Sequence, residues 1–210
     1  MNNVLYQALP DTWHGFHINT GFHIGVQIAL LMEDETLNER MRVTILMELL
    51  FADEDGVIHE MPGTMEEVEE CLNWFMRGWN HDNDVESETH EKLMDFDVDQ
   101  GRIYADFLHI YGIDLETTNL HWWKFNWLLW NMPTEQSSFL QVVNFRQEKP
   151  SKNASAEEKK AIVKRKQIYG LEAKKPKYSR EDIKAIDEFD AFMAEINKKK
   201  EKDKKHGWNL

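Results

Sequence analysis

One stretch, His121 to Pro133 (HWWKFNWLLWNMP), limits the folds open to this chain more than any other. It holds four of the eight tryptophans, Trp122, Trp123, Trp127 and Trp130, together with Phe125, Leu128 and Leu129. A helix apolar along one stripe lies on a surface, whereas one apolar all round is buried. Lys124 is the only formal charge here, so the spacing predicts a central helix enclosed by others. Each large aromatic buries roughly 150–250 Å², which makes this segment the main source of core energy. Pro133 ends it, because proline cannot continue the hydrogen-bond ladder. The competing reading is an aromatic binding platform.

The rest of the chain has to supply the enclosing helices. With 210 residues, 41% hydrophobic and 30% charged, it has material for one core and a wet surface. Charge divides it in two. Residues 1–147 carry 26 acidic and 7 basic groups, whereas residues 148–210 carry 12 acidic and 18 basic groups. We therefore expect an acidic helical core domain over 1–147 and a basic helical C-terminal extension over 148–210. The acidic body should repel nucleic acid, since phosphate binding needs clustered cations. No apolar run reaches the ~18–20 residues of a membrane span. The first residues lack the basic start and apolar stretch of a signal peptide. Cys71 is the single cysteine and reads as a small core residue. These features fit a soluble cytosolic protein.

In chain order, only residues 4–20 read as strand. Trp13, Phe16 and Ile18 bracket His14-Gly15, a hairpin turn in which glycine allows positive φ. Thr20 offers an N-cap, and from Phe22 to Met32 the apolar positions Phe22, Val26, Ala29, Leu30 and Met32 fall mostly at three- and four-residue spacings, which predicts a helix. A second helix runs from about Leu37 to Phe51 and turns Met41, Ile45, Leu46, Leu49 and Leu50 inward. Thr64 and Glu67 form a capping box. The third helix which they open has Met65, Val68, Leu72, Phe75 and Met76 inward, and Gly78 closes it. Residues 80–92 read as a mobile acidic loop. Asp97 or Asp99 caps a helix from about Gln100 to Tyr111, with Ile103, Tyr104, Phe107, Leu108 and Tyr111 inward. Thr134 caps a sixth helix to about Arg146, with Phe139, Val142 and Val143 inward. Residues 156–169 form a short helix. Ser179 caps a last one, Arg180 to about Lys200, striped by Ile183, Ile186, Phe189, Phe192, Met193 and Ile196.

Motifs for chemistry are few. Asp95-x-Asp97-x-Asp99 resembles the start of a calcium loop, but such a loop needs glycine sixth and a bidentate carboxylate twelfth. The sixth residue is Gln100 and the twelfth is Asp106, so these acids are expected to cap a helix. His14, His17 and His23 lie near one another in sequence, and His81 and His90 share the acidic stretch. No pair has the spacing of a zinc hydrolase helix with its catalytic glutamate. There is no phosphate-cradling glycine run, nucleophile elbow or dinucleotide fingerprint. The expectation is a protein without catalytic, metal or cofactor residues. The stripe from Ile183 to Ile196 instead suits a partner's groove or a bundle.

Several of these segments recur together in a known family. Leu9-Pro10-Asp11 comes early and Ile18-Asn19-Thr20 precedes a helix. Beyond the acidic stretch come Ile103-Tyr104-Ala105-x-Phe107, Tyr111-Gly112-Ile113-Asp114-Leu115 and Leu120-His121-Trp122-Trp123-Lys124-Phe125. This pattern resembles the bacteriophage gene-product-fifteen family of long-tailed phages of Gram-positive hosts, over about residues 3–170. Its most specific part is the pair around Tyr111-Gly112 and His121 to Phe125. The aromatic richness after Phe125 and the long basic C-terminus depart from the family's usual pattern.

The resemblance implies a non-enzymatic tail assembly chaperone. It would bind the apolar, helical tape-measure protein in the host cytoplasm until tail-tube subunits replace it, and would be missing from the finished virion. Self-association is expected as well. The alternative is a structural tail or connector component, and a third reading is a metal-dependent hydrolase built on the histidines.

Overall fold

The computed structural model describes residues 4–78 and 92–171. Strands β1 (Thr12–Trp13) and β2 (Phe16–His17) pair antiparallel, with Thr12 opposite His17 and Trp13 opposite Phe16. His14 (φ 48°) and Gly15 (φ 94°) join them. Positive φ at both central residues is the geometry that matches the twist of a two-residue hairpin. The hairpin lies where His14-Gly15 placed it, and the remaining regular structure among the described residues is helical.

The helices are α1 (Phe22–Met32), α2 (Glu39–Phe51), α3 (Met65–Arg77), α4 (Phe96–Asp106), α5 (Trp122–Trp130), α6 (Ser138–Gln147) and α7 (Ala156–Tyr169). Their starts follow from local side-chain chemistry. Thr64 Oγ1 accepts from Glu67 N–H at 3.2 Å while Glu67 Oε2 accepts from Thr64 N–H at 3.2 Å, which is the expected box on α3. Ser155 and Glu158 make the same box on α7. Three expected caps are displaced. Asp95, not Asp97 or Asp99, caps α4, accepting from the Asp97 and Val98 N–H groups, so this helix starts at Phe96. Ser137, not Thr134, caps α6, because the Pro133 carbonyl accepts from Gln136 and Ser137 N–H and holds 133–137 in a turn. Gly21 stands at the start of α1, without side-chain help. The Thr20 carbonyl accepts from Trp122 N–H and Phe22 N–H donates to the Leu120 carbonyl, each at 2.7 Å. Helices α1 and α5 thus leave side by side from a bridge between Gly21 and His121.

The helix expected to run to Tyr111 instead widens after Asp106 into a π-helical turn, Phe107–Tyr111. Gly112, in the left-handed region at φ 64°, ends it. Its centre of contact is Phe125 of α5, which lies between two parallel rings, Phe22 of α1 and Phe107 of the π-turn, both at 5.0 Å. Around this stack α1 packs on α2, α4 and α5, α3 on α5, α4 on α6, and α6 on α7.

In two helices the buried face differs from the apolar spacing read in the sequence. In α1 the buried positions are Phe22, Gly25, Ile28 and Leu31, whereas Met32 is exposed and Val26, Ala29 and Leu30 are half-buried. A helix apolar on nearly every side has no phase of its own, so the neighbour that needs a flat spot, α5, selects the face. On α4 and the π-turn, Ile103 and Phe107 are buried as expected, but Tyr104 and Leu108 are exposed. In α3, Cys71 joins Val68 and Phe75 in the core, and Met65 lies outside. Phe139, Val142 and Val143 of α6 face inward as expected. Nearly all of the acidic stretch 80–92, and the whole segment 180–200 for which a last helix is expected, lie outside the described residues.

Candidate functional site

The signature residues converge, but as core. Trp122 and Trp123 are buried, and both indoles reach the C-terminal end of α3. Trp123 Nε1 donates to the Phe75 carbonyl at 2.7 Å and Trp122 Nε1 to the Met76 carbonyl at 3.4 Å. The last carbonyls of a helix have no partner within it, so the tryptophan pair supplies them. Each indole also rests on a glycine. A Cβ on Gly25 would lie 2.2 Å from Trp122, and one on Gly78 2.4 Å from Trp123. Tyr111 donates its hydroxyl to the Leu128 carbonyl at 2.8 Å, which ties the π-turn to α5.

His121 caps α5. Its Nδ1 accepts from Trp123 N–H at 3.0 Å and its Nε2 contacts the Pro10 carbonyl at 3.0 Å. Both bonds form only if the proton sits on Nε2, so the ring is neutral here. Burial holds its pKa below the ordinary histidine value, outweighing the opposing pull of the Pro10 carbonyl and Asp11. Lys124 points to solvent. Of the expected core signature, Tyr111, His121, Trp122, Trp123 and Phe125 pack together and join α1, α3, the π-turn and α5, whereas Gly112 and Lys124 are exposed.

The aspartates that resemble a calcium loop are engaged with protein. Asp95 caps α4 and binds Lys92. Asp99 is fully buried and takes a two-point ion pair from Arg146 of α6, at 2.6 and 2.8 Å. Arg146 also donates to the carbonyls of Leu93 and Tyr169, so one guanidinium ties α4, α6 and the end of α7. Asp106 accepts from Ser137 Oγ, Ser138 N–H, Ser138 Oγ and Phe139 N–H, capping α6 from across the fold. Reading the sequence missed Arg146 and Asp106; an arginine and an aspartate among apolar inner positions were the available signal.

His14 stacks on Trp13 at 4.0 Å and His23 meets Phe22 edge-on at 3.8 Å; both are exposed, as is His17. No group of three or more metal-ligating side chains is assembled among the described residues. An open cleft of about 550 Å³ lies beside the hairpin, lined by Asp11, His17, Asn19, His23, Asp53 and Glu116 among others. Asn19, in its wall, is committed to the fold, donating to the Leu49 and Ala52 carbonyls. No described helix is long and apolar enough to cross a membrane.

What remains available for a partner is surface. Val98, Tyr104 and Leu108 stand 55%, 37% and 46% exposed on the outward side of α4 and the π-turn. The expected partner stripe, Ile183 to Ile196, lies outside the described residues.

The described residues thus form a helical body in which the aromatic signature residues of α5 serve packing and several apolar side chains stand on the surface. Residues 7–171 match the family model described as Bacteriophage Gp15 protein, and the chain belongs to that family. This places it among virion-related phage proteins. Neither the curated proteins nor the solved structures contain a match to the chain.

Proposed function

We propose that this protein is a tail assembly chaperone of a long-tailed phage. It holds the tape-measure protein in solution in the host cytoplasm until tail-tube subunits take its place, and it leaves before the virion is complete. The family membership supports a role in the phage particle or its assembly. The observation that carries the chaperone reading is the band of apolar side chains, Val98, Tyr104 and Leu108, exposed on an ordered helix of a strongly acidic body. Such a body stays soluble and self-repelling while offering apolar contact to a helical client. Exposed Met32 and Met65 add adaptable contact area, which suits the weak binding of many similar segments.

The sequence stripe Ile183, Ile186, Phe189, Phe192, Met193 and Ile196 is a second partner-binding segment in this proposal, for the client or for self-association. Co-expression with the tape-measure protein, followed by size-exclusion chromatography with light scattering, tests the reading. A soluble complex is expected, with a tape measure that is insoluble alone. Recovery of this protein at fixed copy number in purified particles would instead make it a tail or connector component. Deleting 179–210 should lower the copy number or affinity; an unchanged complex removes the stripe from the proposal.

A further inference from the structure

The outward face of α4 has a shape and a charge pattern that specify more than general stickiness. We infer that it seats an amphipathic helix whose apolar stripe is flanked by lysine or arginine. This rests on the chaperone reading, in which that helix is a segment of the tape-measure protein.

The face is defined by the helix itself. Asp99, Ile103 and Asp106 are buried, so Val98, Gly101, Ala105 and Leu108, at three- and four-residue spacings, lie on the opposite side, with Tyr104 beside them. Gly101 is the least expected residue here. Only proline is a poorer interior helix residue than glycine. Nothing inside the fold requires it, since a Cβ at Gly101 would meet no atom within 4 Å. Gly101 and Ala105 instead leave a shallow notch between the ridges of Val98 and Leu108. Ridges that enter such grooves are the ordinary means by which two helices pack.

Charge chooses the occupant. Asp97 lies on the same face at the start of the helix. At the other side Tyr104 donates its hydroxyl to Asp114 at 3.2 Å, and Asp114 with Glu116 raises the tyrosine's pKa. Among the described residues, three cations on or beside α4 are engaged with carboxylates: Lys92 bonds Glu33 and Asp95, Arg102 bonds Asp99, and Arg146 is buried on Asp99 as well. His109 is an exposed basic side chain of the π-turn itself. An apolar notch framed by carboxylates attracts a cation-flanked helix and disfavours a second copy, whose identical face would bring carboxylate to carboxylate.

The test uses the full chain and a fluorescein-labelled, 18-residue helical peptide with leucines along one face and lysines on the other, read by fluorescence anisotropy. The lysine peptide is expected to bind, and its glutamate counterpart not to. Gly101→Leu and Leu108→Glu should each weaken binding about ten-fold or more, whereas Val163→Glu, an exposed change on α7, should leave it unaltered. Gly101→Ala is the sharper variant. It should raise the melting midpoint yet weaken binding, a combination that a purely structural role would not produce. Binding by the face variants equal to the parent protein, or no binding of the lysine peptide, overturns the proposal. The same variants, co-expressed with the tape measure, separate the two readings. A complex that survives Gly101→Leu removes this face and keeps the chaperone. Peptide binding at the face with no tape-measure complex keeps the face and removes the chaperone.

Discussion

Gly25→Ala is the smallest change that tests how the core is organised. The new methyl carbon would lie 2.2 Å from both Cδ2 and Cε3 of Trp122, and 2.8 Å from Cε2. Carbon atoms in contact sit roughly 3.5–4.0 Å apart, so one partner must move by more than 1 Å. The indole has nowhere to go. It packs against Phe75, Phe96 and Phe125, and its Nε1 holds the Met76 carbonyl. The strain therefore falls on the separation of α1 and α5, which also carries the Phe22–Phe125 stack. Overpacking of this kind costs about 3 kcal/mol at the upper end of its usual range. Replacing a helical glycine with alanine returns about 1 kcal/mol, so the net loss is about 2 kcal/mol. For a domain of this size that is a fall in melting midpoint of about 4–8 °C. Urea denaturation followed by tryptophan fluorescence measures it directly. Adding Trp122→Phe, which takes away the ring that collides, should make the alanine far better tolerated, a coupling visible in a double-mutant cycle. A Gly25→Ala protein as stable as the parent, or more stable, would refute the close approach of α1 to Trp122.

Three further predictions concern the other buried groups. Because burial depresses the His121 pKa below its unfolded value near 6.5, the unfolded chain binds a proton before the folded one does. The stability from neutral His121 is therefore complete above that pH and is lost as pH falls through and below it. His121→Asn should flatten the difference in urea midpoint between pH 8 and pH 5; an unchanged slope would count against a depressed pKa at His121. Arg146→Met takes the two-point partner from buried Asp99 and leaves it, as ion pair, only the single contact from half-exposed Arg102 at 3.2 Å, so it should cost about 3 kcal/mol in chemical denaturation; a loss under 1 kcal/mol would mean that Arg102 or water satisfies the carboxylate. The Cys71 thiol, pushed up to about 12 by burial, should resist Ellman's reagent at pH 8 until denaturant unfolds the protein. Rapid labelling of the native chain would contradict its burial in the core.

Which parts of this architecture a reader of the sequence can find depends on whether the cause is local. The Thr64–Glu67 box, the His14-Gly15 turn and the Trp-rich helix are set by neighbours a few residues away, and all three appear where the spacing puts them. The face of α1 is decided by a ring about a hundred residues distant. Gly25 is its most constrained position, yet a glycine adds nothing to a hydrophobic pattern. The cap of α6 is likewise shared between nearby Ser137 and remote Asp106, and only the first is visible to local rules. The misplaced start of α4 has a different origin. Asp95, Asp97 and Asp99 are equally good caps on paper, and Asp99 is withdrawn from the choice by the buried Arg146. The signature around Tyr111 and His121 identified the family without revealing why those residues belong together.

The π-turn sets the direction in which the last side chains before Gly112 point. Each residue added to or removed from an α-helix rotates the downstream residues by about 100°. The wide turn at Phe107–Tyr111 absorbs such a step, so that Phe107 reaches Phe125 while Tyr111, four positions on, still meets α5 at Leu128. Shortening this turn by one residue would restore ordinary pitch and swing the tyrosine hydroxyl off its carbonyl. Chain length between Asp106 and Gly112 is thus a counted quantity in this fold, as fixed as the identity of the residues on either side of it.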